Sequence, residues 1–271
     1  MKIIHFSDPH SCAPPEEFSA FFDKRLVGFF NYTFRRRFQH DLNLLDKAVE
    51  VILEEKPDVA ICTGDLTSTG QPAEFAETVK RLEPLIQNHD IPLLFVPGNH
   101  DAYVKSRACK EALQATFSRL NNNLWSLDDL PVKTQIGECE FILVNECCPT
   151  NIILSCGYMF PESTEKIVAW CAEDKQAPRV LVGHFPILRN YTLIESRRGL
   201  NKHEEVRKLV ESKKIDLSLC GHMHQDYVDI DDHGKGEICA GSVTRTGNIG
   251  IIEYNKTDDT FSYQNRSVSV E

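Results

Sequence analysis

An α/β fold on a largely parallel sheet is predicted by three features. Apolar strand-like stretches alternate with helix-like stretches through the first half of the chain. The short strands "KIIHF", "DVAICT" and "IPLLFV" are separated by helices in the β-α-β-α-β order of a parallel sheet. Five of them deliver Asp, His or Asn directly after their last apolar residues, and in open α/β sheets that end of the strand forms the ligand crevice. A chain of 271 residues accommodates this as a single domain. No composition shift or linker divides it, so residues 1–271 are read as one domain.

Taken in order, "KIIHF" is the first strand. "DLNLLDKAVEVILEEK" spaces Leu, Ala and Val as a helix, with Asp41 as N-cap and Pro57 beyond its end. "DVAICT" is the second strand, "PAEFAETVKRLEPLIQN" a helix disturbed at Pro84, and "IPLLFV" the third strand. A helix follows Tyr103 and runs to about Leu120. This β-α-β-α-β order implies right-handed crossovers between parallel strands. Strands "PVKTQI" and "CEFILVN" come next, then helix "PESTEKIVAWCAEDK" with Pro at its start and acids in its first turn. Strand "RVLVG", helix "KHEEVRKLVESKK" and strand "DLSLCG" follow, and "DYVDI", "GEICAG" and "IGIIEY" are short closing strands.

The formal net charge of -10 disfavours a general nucleic-acid binder, because phosphate backbones attract basic surfaces. The ten cysteines show no repeated C-x-x-C spacing, so they read as buried free thiols and not as a structural zinc site. "MKIIHFSD" lacks a signal-peptide core, and no stretch approaches the ~20 apolar residues of a membrane span. A cytoplasmic protein is expected.

The strand ends carry the chemistry. They read Ser7-Asp8-Pro9-His10, Gly64-Asp65, Gly98-Asn99-His100-Asp101, Gly183-His184 and Gly221-His222-Met223-His224. Two aspartates, one asparagine and four histidines, with His100 in addition, form a mixed imidazole and oxygen set without thiolate. Such a set suits manganese, iron, zinc, cobalt or nickel. Seven ligands exceed a tetrahedral zinc site and suit two divalent metal ions if one carboxylate bridges.

The series "SDPH", "GDLTSTG", "GNHD", "GHFP", "GHMH" resembles the calcineurin-like metallophosphoesterase superfamily from Asp8 to His224. The resemblance implies a four-layered α-β-β-α sandwich with a dinuclear site at the carboxyl ends of the strands. It implies that Asp8, His10, Asp65 and His224 hold one metal, and that Asp65, Asn99, His184 and His222 hold the other, with Asp65 bridging. A hydroxide between the metals would then attack phosphorus. His100 would act as general acid on the leaving group, and Asp101 would orient it. A helix N-cap is the competing reading of Asp101.

Departures from the pattern narrow the branch. No arginine follows the Gly64-Asp65 pair, as it does in the protein phosphatases, and no tyrosine, as in purple acid phosphatases. "TGDLTSTGQPAEF" is most similar to the bacterial cyclic-nucleotide phosphodiesterase-like branch. The expected activity is hydrolysis of a phosphodiester or pyrophosphate. The alternatives are a phosphomonoesterase and a non-catalytic scaffold of the same fold.

An inserted helical segment is expected at about 14–40. Phe18, Phe21, Phe22, Leu26, Phe29 and Phe30 recur there at helical spacing, before Arg35-Arg36-Arg37. Packing on the core or on another subunit, a lid over the metals, and peripheral membrane contact through 18–38 all fit this amphipathic pattern. The last would suit an amphiphilic phosphate ester.

Overall fold

The computed structural model describes every residue except 15, 16, 18, 19, 21, 35–37, 152, 153, 192–194 and 271. The first half comprises β1 (Lys2–Phe6), α1 (Lys24–Phe34), α2 (Asn43–Glu55), β2 (Val59–Cys62), α3 (Pro72–Ile86), β3 (Leu93–Phe95) and α4 (Arg107–Leu120). The second half adds β4 (Val132–Ile136), β5 (Cys139–Leu143), β6 (Gly157–Tyr158), α5 (Pro161–Ala172), β7 (Arg179–Val182), β8 (Leu200–Asn201), α6 (Glu204–Glu211) and β9 (Leu217–Cys220). It closes with β10 (Asp226–Ile230), β11 (Gly236–Ala240), α7 (Val243–Thr246), β12 (Asn248–Asn255) and β13 (Thr260–Ser267).

These strands form a five-stranded sheet, β13-β12-β1-β2-β3, and a six-stranded sheet, β10-β11-β9-β7-β5-β4. The strands that carry the polar ends run parallel: β1 with β2, β2 with β3, and β7 with β9. The period of two along each strand then builds the layers. Ile3, Ile61 and Leu94 point from the first sheet onto Phe141, Val180, Val182 and Leu219 of the second. Their neighbours Ile4, Ala60, Cys62 and Phe95 point the other way, under Leu45, Ile52, Phe75, Leu82 and Phe117 of α2, α3 and α4. On the far side, Ile142 and Leu181 meet Ile167 of α5 and Val206 and Val210 of α6. The result is the four-layered α-β-β-α sandwich.

The structure corrects several local expectations. The last strands divide between the sheets: β10 and β11 extend the second, whereas β12 crosses back and pairs antiparallel with β1. The sequence reading missed β13, whose "TFSYQNRS" pattern is mostly polar because its outer face meets water. Helix α2 starts at Asn43 with Leu42 at the cap position, and Asp41 lies just ahead, accepting the Asn43 N–H at 2.9 Å. Pro84 falls in the last turn of α3, where the helix is ending anyway. Ser106, not Asp101, occupies the cap position of α4.

Two glycines let the strand ends converge. A Cβ on Gly98 would stand 2.1 Å from Asp65 Oδ1, and one on Gly221 would stand 2.4 Å from Asp8 Oδ2. The loops after β2 and β3, and those after β1 and β9, therefore meet at van der Waals contact through a bare backbone.

Within residues 14–40, α1 covers Lys24–Phe34, while Phe22 precedes it and is 78 % exposed. Phe18, Phe21 and Arg35-Arg36-Arg37 lie outside the described residues. Helix α1 rests on the core of its own chain. A Cβ on Gly28 would come within 2.7 Å of Thr69 and 3.1 Å of the Tyr103 hydroxyl. The Lys24 ammonium stands 4.2 Å from the centre of the Tyr103 ring and donates to the Thr150 hydroxyl at 3.0 Å and to the Leu154 carbonyl at 3.3 Å. Among the described residues, no helix is long and apolar enough to cross a membrane.

The Gly98 contact is with the Asp65 backbone nitrogen at 2.3 Å and with the Asp65 carboxylate, which the His100 N–H holds at 2.7 Å, so making room means moving backbone or breaking that hydrogen bond. Gly98→Ala should destabilise the metal-free protein by ~1–3 kcal/mol, the usual range for an overpacked site. Equilibrium denaturation in chelator measures this, and a wild-type midpoint would show that the loops part freely.

Candidate metal centre

The carboxyl ends of β1, β2, β7 and β9 bring Asp8, His10, Asp65 and His224 into one cluster and Asp65, His184 and His222 into a second. In each, one candidate ligand atom per residue lies within 4.8 Å of all the others. Asp65 belongs to both. The two buried carboxylates are built alike. Asp8 Oδ2 accepts the backbone N–H of His222 at 3.0 Å, and Asp65 Oδ1 accepts that of His100 at 2.7 Å. Their second oxygens, Asp8 Oδ1 and Asp65 Oδ2, are buried with no hydrogen-bond partner among the described residues. Both face imidazole nitrogens at longer range: His10 and His224 Nε2 stand 3.5 and 3.3 Å from Asp8 Oδ1, and His10 and His184 Nε2 stand 3.6 and 3.5 Å from Asp65 Oδ2. His10 Nε2 and His224 Nε2 face each other at 2.8 Å. Converging lone pairs around unpartnered carboxylate oxygens are what a cation requires, so the residues present fit divalent metal ions.

The imidazoles are held from behind. His10 Nδ1–H donates to the Thr67 carbonyl at 3.1 Å, His184 Nδ1–H to the Thr63 carbonyl at 2.6 Å, and His222 Nε2–H to the Arg198 carbonyl at 2.8 Å. Each bond fixes the tautomer and leaves the other nitrogen aimed into the site. His222 thus presents Nδ1, and His10 and His184 present Nε2. Asn99 Oδ1 closes the second cluster, 2.8 Å from His222 Nδ1 and 3.3 Å from His184 Nε2. Five of these residues, Asp8, His10, Asp65, His222 and His224, have φ between 52° and 68°. Left-handed backbone in non-glycine residues costs of order 1–3 kcal/mol each and persists only where the surroundings dictate it.

The charges follow from the crowding. Burial opposes ionisation of Asp65, yet the neighbouring His184 and His100 imidazoles hold its carboxyl below the usual carboxylate range. Burial likewise opposes charge on His184, but Asp65 pulls it up to about 10. Burial and the repulsion of His184 push His222 down to about 3.

Of the sequence-predicted residues, His100 stands beside the clusters, its ring edge-on to His10 and stacked on Tyr103 with 5.2 Å between centres. Asp101 departs from expectation. Its Oδ1 accepts from the Thr67 N–H and hydroxyl at 3.0 and 3.1 Å, and its Oδ2 accepts from the Gly98 N–H at 2.9 Å. The Ser68 carbonyl, 2.7 Å from His100 Nδ1, occupies the orienting position instead. Asp101 ties the loop after β2 to the loop after β3.

Sequence reasoning missed Glu146. Its Oε2 accepts the N–H groups of His184 and Phe185, both at 2.8 Å, and burial pushes its carboxyl up to about 7. It holds the "GHFP" turn from beneath. Its only signal was an acid directly after the apolar run "FILVN". Asp65, Asn99, His100, His222 and His224 open into a cleft of about 300 Å³ whose walls include Arg198 and Arg245.

Comparison with known proteins agrees with this geometry. Residues 1–226 match the family described as Calcineurin-like phosphoesterase. A protein of Vesicomyosocius okutanii named "Probable cyclic nucleotide phosphodiesterase" is 26% identical over 182 residues, 67% of this chain and 68% of that protein. A protein of Rhodococcus erythropolis with the same name is 24% identical over 173 residues, 62% of this chain, and the match spans only about half (52%) of that protein. A dimetal phosphatase of Danio rerio shares the fold with a TM-score of 0.65 at 13% identity, covering 98% of this chain and 96% of its own. Through its strand-end motifs, its paired sheets and a family match over most of its length, this chain belongs to the calcineurin-like phosphoesterase family of phosphate-ester hydrolases.

Proposed function

We propose that this chain hydrolyses a phosphodiester or pyrophosphate of modest size with two divalent metal ions bound in the paired clusters. The observation that carries the reading is the shared carboxylate: Asp65 belongs to both clusters and its Oδ2 is buried without a donor among the described residues. Asp8, His10, Asp65 and His224 would hold one ion, and Asp65, Asn99, His184 and His222 the other. Bound there, divalent ions polarise phosphoryl oxygens and lower the pKa of water. Asn99 is neutral, which limits the negative charge facing an anionic ester.

His100 faces the same cleft with its Nδ1–H committed to the Ser68 carbonyl, so Nε2 is the nitrogen that would hold a proton for the leaving-group oxygen. Tyr103 keeps the ring in place by stacking, and α1 keeps Tyr103 in place. The insertion therefore supports the chemistry through Tyr103. The exposed Phe22, Val27, Phe30 and Phe38 keep an amphiphilic ester within the substrate class. The buried cysteines, Cys62 and Cys220 among them, carry free thiols, which fits a reducing compartment, the cytoplasm.

Turnover of bis(p-nitrophenyl) phosphate against p-nitrophenyl phosphate tests the class, and exclusive turnover of the monoester would make this a phosphomonoesterase. Metal content tests the sharing. Asp65→Ala should lose both ions and Asn99→Ala mainly one by elemental analysis, and full occupancy in Asp65→Ala would remove the bridge.

His100→Ala should keep its metal and lose ~10²–10⁴-fold in kcat, as removal of a general acid does. The loss should shrink for esters with acidic leaving groups, and an equal loss across leaving groups would point to a purely electrostatic role. Tyr103→Ala should lower kcat less than His100→Ala, with the same leaving-group trend.

A further inference from the structure

The two arginines on the cleft wall differ from most of the arginines elsewhere in the molecule. Arg25, Arg81, Arg107, Arg119, Arg179, Arg207 and Arg266 each pair with a carboxylate. Arg198 and Arg245 have no carboxylate partner among the described residues, in a protein with 40 acidic and 30 basic side chains. Both are exposed, and both border the metal cleft.

Their backbones are tied to the site. The Arg198 carbonyl accepts the Nε2–H of His222 at 2.8 Å, so this arginine stands one hydrogen bond behind a candidate metal ligand. Arg245 lies in α7, which is anchored beneath Asp8. The Ser242 hydroxyl donates to the Asp8 carbonyl at 2.8 Å, and the Thr244 hydroxyl to the Pro9 carbonyl at 2.8 Å. Two such guanidinium groups, held beside a cation site, find their negative charge most directly on the ligand. One phosphoryl group would already be engaged by the metal ions. Arginine forks match phosphate oxygens in bidentate geometry.

We propose that Arg198 and Arg245 form a second anion subsite and that the substrate carries a second phosphate beside the scissile one, as a pyrophosphate-linked ester does. This deepens, and rests on, the reading of the clusters as a metal site for phosphate esters. The two residues act as specificity determinants and take no part in bond breaking.

The test is binding of two non-hydrolysable probes, methylenediphosphonate and methylphosphonate, to the manganese-loaded protein in excess Mn²⁺, followed by titration calorimetry. The wild type should bind the diphosphonate about 10- to 100-fold more tightly, the range that one or two charge-assisted hydrogen bonds contribute. The double variant Arg198→Ala/Arg245→Ala should keep its manganese and lose that preference, while Arg198→Lys/Arg245→Lys restores part of it. Equal affinities in the wild type, or a preference that survives in the alanine variant, would overturn the second subsite while leaving the metal site intact. Failure of the wild type to bind manganese or either phosphonate would overturn the metal-site reading and the subsite with it.

Discussion

Two carboxylates placed where four loops meet are the constraint on which the rest of this structure depends. Asp8 and Asp65 are fully enclosed, and each gives one oxygen to a backbone N–H and leaves the other without a donor among the described residues. A buried, unpaired carboxylate oxygen is costly unless a cation answers it. The surrounding architecture makes that answer available. Parallel strands bring their carboxyl ends to one edge, and the glycines at 98 and 221 let those ends approach closely. The left-handed backbone of five candidate ligands turns their side chains back into the same small volume.

Around this sits a shell that holds without coordinating. Carbonyls of Thr63, Thr67, Ser68 and Arg198 each take one nitrogen of an imidazole. Glu146 clamps two backbone N–H groups of the "GHFP" turn, and Asp101 clamps Thr67 to Gly98. Glu146 Oε2 and both oxygens of Asp101 accept from backbone N–H groups, and Asp101 Oδ1 takes the Thr67 hydroxyl as well. Helix α1 adjoins the same shell, because Gly28 bears on Tyr103 and the Tyr103 ring stacks on His100.

Much of this was legible in the order of residues. Alternation of apolar strands and helices specified the parallel β1-β2-β3 core. The glycine-punctuated polar ends named every residue of the two clusters, because metal ligation demands specific side chains at specific strand ends. Less legible were the parts whose reasons are spatial. Asp101 bonds Thr67 and Gly98 while the Ser68 carbonyl stands at His100 Nδ1, and a carbonyl leaves no trace in residue type. Glu146, 37 positions upstream of Gly183, meets that turn only after β5 and β7 pair. Strand β13 escaped notice because an edge strand facing water needs few apolar residues.

By itself, the sequence determined the fold class, the candidate ligands and the chemistry they suit, since each depends on local pattern and side-chain type. The family resemblance implied that Asp65 is shared, and the tertiary structure places it in both clusters; only that structure decided which imidazole nitrogen faces inward and that Arg198 and Arg245 border one cleft. Those are distances between residues far apart along the chain, and they exist only once the two sheets have packed face to face.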